Sequence, residues 1–430
     1  CEGTCTNVPQ QPDRVDKAKS VQAYAVREDL GLLWVWMDPE TVDSLGASIH
    51  LPINPLLRKC FNANPTMCFM RDLPYGQEIL GENLLDLSHL PFAHHSVGQL
   101  KRSLGNELPT RMLSSEERKD FAQWELDYDP DAKPVLPSAQ AEIMQAAAHD
   151  PILSGSYDPK KPELYANWTT HIGFFDPCHV RYRRFRGTTS TVELFMCPTS
   201  EGRSRVFLFN CFDGMITEPK TIKEKLMRVV IKFVLGGSRG HMFAHQIFDG
   251  DGIFLHKQGN RMKVADLSFR DYSTPASADI LLNSYRRFLD AAATKTREAG
   301  LESFADAVVG TKSYGDDAPR RELLDRYNTH TSKCSVCMKS LQKARRQESR
   351  LQGLQTALQG ATGSGIAALA TLTAIRRLSS VVVPQALFGY VAMASAAGFA
   401  GSFLTSSMKR STEKTINGFL FEDYIHAEKN

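Results

Sequence analysis

The sequence predicts an α+β protein in which a sheet is closed over by helices and followed by an apolar helical region. Three observations carry this. Strand-like runs crowd the stretch from Asn167 to Phe212: Trp168–Phe175, His179–Phe185, Thr191–Cys197 and Arg205–Phe212. Two segments place apolar residues at helical spacing, 219–235 (Ile222, Leu226, Val229, Val230, Phe233) and 277–297 (Ile280, Leu281, Tyr285, Phe288, Leu289). After Arg350 the composition changes: Leu351–Ile375 and Leu378–Met408 carry no charged residue, with Arg376-Arg377 between them.

Taken in order, residues 20–37 read as two strands around an Asp29–Gly31 turn, closed by Asp38-Pro39. Residues 79–89 read as a short helix checked by Pro91, and 100–165 as polar, Pro-rich excursions over the surface. Residues 311–350 are polar and charged, a linker carrying Cys334-Ser-Val-Cys337. Spanning a bilayer takes about 20 apolar residues, so the second uncharged segment is the better candidate and the first the poorer one. The Gly, Ala and Ser content of both suits close helix packing in a membrane, the alternative being a soluble, Ala-rich hairpin. Lys339, Lys343, Arg345, Arg346 and Arg350 flank one end and Lys409, Arg410 and Lys414 the other. This excess over Arg376-Arg377 puts both ends on the same side.

Length and composition bound the function. At 430 residues the chain has room for two or three domains, and its 42% hydrophobic and 23% charged residues are ordinary for a globular protein. A net charge of +3 excludes an extended nucleic-acid surface. Nine cysteines scattered over this length point to a reducing compartment and not to a secreted disulfide framework. The start at Cys1 passes straight into strand-like sequence, which we expect of a truncated chain.

The chemistry concentrates in Glu82-Asn-Leu-Leu-Asp86-Leu-Ser-His89-Leu-Pro-Phe-Ala-His94. On a helix Glu82, Asp86 and His89 would share a face, and Pro91 would turn the chain so that His89 and His94 converge. Two imidazoles and a carboxylate on one side of a metal form the facial triad of Fe(II) oxygenases. A second acidic stretch, Phe248-Asp-Gly-Asp251-Gly-Ile-Phe-Leu, reads as a turn followed by an apolar run; the remainder of a calcium loop is missing from it. His241 and His245 share a helical spacing but lack a carboxylate partner, so structural roles are expected. Cys334 and Cys337 are spaced to form a disulfide, with Lys333 and Lys339 favouring the thiolate. A half zinc site is the alternative, and no second ligand pair is visible nearby.

With these residues in hand, the chain resembles the Rieske-type non-haem iron oxygenases. Within them it is most similar to the chlorophyll-breakdown branch that holds pheophorbide a oxygenase, plastid translocon components and chlorophyllide a oxygenase. The resemblance rests on Val8-Pro-Gln, Leu33–Trp36, Glu82–His95, Asp249–Gln258, Tyr272–Asp279, the Cys334/Cys337 pair, the apolar C-terminal segment and the end at 421–428. It implies His89, His94 and Asp251 as ligands of a mononuclear Fe(II), with Asp86 as an electron relay between subunits of a homotrimer. It also implies a [2Fe–2S] Rieske cluster fed by ferredoxin, whose Cys-x-His and Cys-x-x-His ligands fall upstream of Cys1. Cys1 and Cys5 align with the turn after the last such ligand, so no residue of this chain is assigned to the cluster.

The resemblance implies five regions: 1–50 as the end of a β-rich Rieske domain, and 51–310 as a START-like catalytic domain of helix-covered antiparallel sheet. Then follow 311–350 as the linker, 351–410 as a transmembrane hairpin and 411–430 as a tail. The expected activity is monooxygenation by dioxygen of a chlorophyll-derived tetrapyrrole, held in an apolar pocket near His89. The expected location is the chloroplast, at the inner envelope or thylakoid membrane, with thioredoxin reducing the Cys334–Cys337 pair. Two other readings stay open: a translocon-associated redox sensor, and a cluster-less pigment-binding pseudoenzyme.

Overall fold

The computed structural model describes residues 3–17, 19–36, 51, 53–95, 97, 102, 110–119, 139–144, 169–175, 177–186, 188–216, 218–235, 237–298, 300 and 314–423. Cys1, the end of the 421–428 motif and the 301–310 stretch lie outside them. Strands β1 (Ala25–Asp29) and β2 (Leu32–Trp36) pair antiparallel from Ala25↔Trp36 to Asp29↔Leu32, as the sequence suggests. Their two-residue turn takes positive φ at both Leu30 (58°) and Gly31 (69°), which matches the right-handed strand twist. Glycine takes this conformation freely; at Leu30 the strain is offset because its side chain is buried against Leu56, Leu57 and Phe209. Leu56 and Leu57 belong to helix α1 (Pro55–Ala63), which Asn54 caps through its side chain.

The central sheet has seven strands in the order β3-β9-β8-β7-β6-β5-β4, every pair antiparallel. These are β3 (Phe69–Leu73), β4 (Thr110–Met112), β5 (Ala139–Met144), β6 (Thr169–Phe175), β7 (His179–Arg186), β8 (Thr188–Ser200) and β9 (Arg203–Phe212). All four expected runs are strands over their described residues, Trp168 lying outside them. The sheet extends further, since β4 and β5 lie inside the stretch read as surface excursion, and β3 crosses back to pair with β9. The α+β class is therefore as expected.

Helices α2 (Gln77–Leu85), α3 (Leu90–Ala93), α4 (Ile222–Leu235), α5 (Gly237–Val264) and α6 (Ile280–Glu298) follow. The main core joins the sheet (Phe69, Ile172, Phe174, Leu194) to α2 (Leu80, Leu84), α5 (Phe248, Met262) and α6 (Tyr285, Leu289). Helix α4 forms where the spacing puts it, but Ile222, Leu226, Val229 and Val230 are exposed instead of closing the sheet. The cover comes from α5, which the sequence disguises: Gly250 and Gly252 around Asp251 read as turn residues. Both nevertheless lie buried within the helix, at a cost of about 1 kcal/mol of helix propensity each relative to alanine.

The segment read as a linker is packed over its described residues, 314–350, and does not hang free. Leu323, Leu324, Arg326, His330 and Thr331 are buried, and helix α7 (Ser335–Leu378) runs across residue 350 without a break. Helix α8 (Gln385–Leu420) returns alongside it. Their contact is close: a Cβ on Gly398 would meet the Thr362 hydroxyl at 2.6 Å. Arg326 fixes the hairpin's base to helix α5. It ion-pairs with Asp249 of α5 at 2.6 Å and donates to the Gly418 carbonyl of α8 at 3.0 Å.

Candidate metal centre

Helix α2 ends earlier than its sequence suggests, at Leu85, and Asp86 is already extended (φ −103°, ψ 101°). The cause is local. One Asp86 oxygen accepts from the Ser88 backbone N–H at 2.8 Å and from its hydroxyl at 2.5 Å, an Asx-type turn that competes with the helix. Pro91 therefore does not end a helix but sits in the first turn of α3, where its missing N–H costs nothing. His89 and His94 stand at the two ends of α3, their ring centroids 5.4 Å apart. The expected common face of Glu82, Asp86 and His89 is absent. Glu82 turns to Arg286 of α6, whose Nε donates to it at 2.8 Å, and burial pushes the Glu82 carboxyl above its ordinary range despite that pairing.

Asp251 reaches the histidines from α5. Its Oδ1 lies 3.2 Å from His94 Nε2 and 3.8 Å from His89 Nε2, and its Oδ2 accepts from Asn83 Nδ2 at 3.0 Å. One donor atom each from His89, His94 and Asp251 falls within a 4.8 Å cluster. Burial raises the Asp251 carboxyl, but contact with His94 and the nearby charge of His89 outweigh it and hold Asp251 below the ordinary range. Asp86 is half-buried at the rim, its Oδ2 3.8 Å from His89 Nδ1. Burial likewise raises Asp86, and His89 and Ser88 together bring it below the ordinary carboxylate value.

The donor set fits a metal on one decisive count. All four ring nitrogens of His89 and His94 are shielded from water, and none makes a well-aligned hydrogen bond, their contacts to Asp251 and Asp86 running from 3.2 to 3.8 Å. Buried polar atoms left unpaired cost about 1–3 kcal/mol each, and two of these four are aimed at one carboxylate. A divalent cation resolves that cost, and a two-imidazole, one-carboxylate face is the donor chemistry of a non-haem Fe(II) site. Asp249, two residues from Asp251, is occupied elsewhere by Arg71 at 2.6 Å and by Arg326.

Cys334 and Cys337 lie away from this cluster at the start of α7, and neither is in a disulfide. Cys337 is buried between His241 and His330. His330 escaped the sequence reading although it stands four residues before Cys334. Asn83, inside the motif, was also missed as a partner of Asp251. Cys5 is not disulfide-bonded. Two clefts, one along Lys339–Arg350 and one between Phe269 and Asp290, both lie away from His89.

No family model matches the chain. Among curated proteins it is 25% identical to flavonoid 8-hydroxylase 2, chloroplastic, of Ocimum basilicum, over 99% of this chain and 71% of that protein. It is equally 25% identical to pheophorbide a oxygenase, chloroplastic, of Oryza sativa subsp. japonica, over 99% of this chain and 70% of that one. Over nearly its whole length the chain is similar to these Rieske-type oxygenases. Protein TIC 55, chloroplastic, of Arabidopsis thaliana is 24% identical over 67% of this chain and 46% of its own length. Among solved structures, dicamba monooxygenase bound to dicamba overlays with a TM-score of 0.40 at 14% identity, covering 68% of this chain and 77% of that one.

Proposed function

We propose that this chain is a Rieske-type monooxygenase that oxidises a planar conjugated ring at a mononuclear ferrous site, a chlorophyll-derived tetrapyrrole being the leading substrate class. The observation that carries the proposal is the cluster of His89, His94 and Asp251, with buried imidazole nitrogens that lack well-aligned hydrogen bonds, in a chain similar to oxygenases over 99% of its length. The net reaction would be RH + O2 + 2e− + 2H+ → ROH + H2O, its electrons coming from ferredoxin through a Rieske cluster.

His89, His94 and Asp251 would hold the iron, which when bound supplies the activation of dioxygen. Asn83 fixes one Asp251 oxygen and leaves the other toward the imidazoles. Asp86, 3.8 Å from His89 Nδ1, would orient that ring with Nε2 toward the iron, and its position at the rim supports a role as relay between subunits of a homotrimer. The domain division, the plastid location and the membrane anchorage follow from the same resemblance.

The test is iron loading followed by single turnover. The anaerobically purified chain, reconstituted with Fe(II) and supplied with ascorbate, is exposed to 18O2 with pheophorbide a or with a flavone. Label in a pheophorbide product supports the tetrapyrrole reading, and label only in the flavone moves the substrate to flavonoids. Stoichiometric absence of iron from the chain would overturn the proposal. Relatives named TIC 55 and translocon component 52 favour a second reading, a translocon-associated sensor, which predicts co-purification with translocon subunits and no turnover.

A further inference from the structure

Four residues from three parts of the chain meet at the root of the C-terminal hairpin. His241 comes from α5, His330 from the end of the short helix Arg326–Thr329, Cys334 from the N-cap of α7 and Cys337 from its first turn. One ligand atom of each lies within 4.8 Å of all the others. Cys337 Sγ is 3.2 Å from His241 Nδ1 and 3.2 Å from His330 Nε2, and Cys334 Sγ is 3.5 Å from His241 Nδ1. Three of the four residues are buried: His330 and Cys337 are 0% exposed and His241 2%.

The distal ring nitrogens settle the tautomers. His241 Nε2 faces the Thr66 carbonyl at 3.1 Å, and His330 Nδ1 faces the Met70 carbonyl. A carbonyl only accepts, so both distal nitrogens carry a proton, and in the neutral rings both near nitrogens present lone pairs to the sulfurs. The single Cys337 thiol proton can serve only one of the two imidazoles in contact with it. This is the arrangement of metal-binding histidines, whose outer N–H is anchored by a backbone carbonyl. Phe69, stacked on the His330 ring at 4.6 Å and edge-on to His241 at 5.5 Å, holds both rings in place.

We propose that His241, His330, Cys334 and Cys337 form a closed tetrahedral site for one structural zinc ion. It clamps the base of the α7–α8 hairpin to the helix that carries Asp251. Tetrahedral zinc, with Zn–S about 2.3 Å and Zn–N about 2.0–2.1 Å, sets sulfur and nitrogen ligands about 3.6 Å apart, close to the three contacts here. Loading replaces two thiol protons, Zn2+ + 2 RSH → Zn(SR)2 + 2H+, and leaves a neutral site suited to burial. The N-terminus of α7 favours the two thiolates. A two-iron cluster is excluded by geometry, because its bridging sulfides would hold the cysteine and histidine pairs apart, whereas here nitrogen touches sulfur. Zinc binding and a Cys334–Cys337 disulfide are mutually exclusive, so the clamp displaces the redox reading of this pair.

The experiment uses the full chain purified anaerobically without chelators. Elemental analysis should give one zinc per chain in addition to iron, released as a mercurial titrates the thiols. Replacement by Co(II) should give thiolate-to-cobalt charge transfer and tetrahedral d–d bands, which needs no variant to fold. Cys337→Ser and His330→Asn should lose the zinc, whereas Asp251→Ala should keep it and lose only iron. Substoichiometric zinc with a Co(II) spectrum lacking thiolate bands would overturn the site. So would two extra thiols appearing only after thioredoxin treatment of zinc-free protein, which would return the pair to redox chemistry.

Discussion

Two residues along an α-helix turn the side chain through about 200°, so Asp249 and Asp251 face opposite ways from one strand of sequence. Asp249 lies between Arg71 and Arg326, all three buried, and Asp251 meets His94 and Asn83. Their substitutions should therefore separate cleanly. Asp251→Ala should abolish Fe(II) retention while leaving the thermal midpoint little changed. Asp249→Ala removes the carboxylate shared by two buried guanidinium groups, leaving Arg71 to His245 and Arg326 to Glu422 and Gly418, and should cost about 3–5 kcal/mol, with iron retained in the protein that folds. Asp86→Ala should keep most of its iron and lose turnover. Iron quantification and urea titration of the three variants check this; iron lost from Asp86→Ala but kept in Asp251→Ala would overturn the ligand assignment. A second buried carboxylate governs acid stability. Glu193 accepts from Asn54 at 2.7 Å and Arg181 at 2.9 Å and meets His179 at 2.6 Å, and despite burial the Arg181 and His179 partners hold it down at about 2. Because its folded value lies below the ordinary 4.5, its contribution is complete above that pH and is lost as pH falls toward 2, roughly 3 kcal/mol in all. Burial also keeps His179 neutral below its ordinary 6.5, so it too loses stability in acid. Glu193→Gln should flatten the acid limb of a stability–pH curve; an unchanged limb would place the acid sensitivity elsewhere.

At the scale of elements, the contact between α2 and α6 holds Asn83 and Asp86 in position, and it depends on a missing side chain. A Cβ on Gly81 would lie 2.3 Å from the Tyr285 ring, which is itself fully buried. Gly81→Ala gains up to about 1 kcal/mol of helix propensity but overpacks a rigid ring at about 1–3 kcal/mol, so a lower urea midpoint and weaker iron retention are expected. The elements that the sequence disclosed and those it hid differ in physical kind. Strands β6 to β9 announce themselves because β-branched and aromatic residues recur in each run, alternating with arginines in β7, and α6 because Ile280, Leu281, Tyr285 and Leu289 repeat at its period. Helix α5 was hidden because its buried positions, which lie on more than one face, include His241, His245, Asp249 and Asp251 where aliphatic residues would mark a helical period. Its polar residues are satisfied by partners far along the chain, at positions 71, 94, 326 and 337, and no local window contains them. The same reason explains the zinc clamp: the Cys-x-x-Cys is local and legible, but His241 is nearly a hundred residues away. For the iron cluster the two histidines were legible together, while the early end of α2 at Asp86 depends on a side-chain turn that a helical spacing argument ignores.

The whole molecule divides at the charged collar of the hairpin. Below it, Cys337, Leu341, Ala344, Ile416 and Phe419 form a core of their own against Met242 of α5. Above it, the helices touch chiefly each other, and large apolar side chains stand outward: Val382 is 89% exposed, Phe399 69% and Phe403 65%. The uncharged stretch 351–375 rises about 37 Å as a helix, enough for the roughly 30 Å of hydrocarbon in a bilayer. The most apolar windows of α7 and α8 have mean hydropathies of 1.2 and 1.5 and are almost wholly unburied within the chain. Arg345, Arg346 and Arg350 on one helix and Lys409, Arg410 and Lys414 on the other mark the level where headgroups would begin, with Arg376 and Arg377 at the far turn. In a bilayer such a hairpin would bury its outward apolar side chains, while the fold beneath it would not depend on the membrane, because the hairpin's base is already fastened by the Arg326 network and the cysteine–histidine cluster. Replacing residues 351–408 with a short Gly/Ser linker should therefore give a water-soluble protein that retains iron and zinc, while the intact chain stays with membranes through alkaline carbonate. Complete extraction of the intact chain by carbonate would show that the two helices pack as a soluble hairpin, and loss of both metals from the shortened chain would show that the apolar half supports the fold.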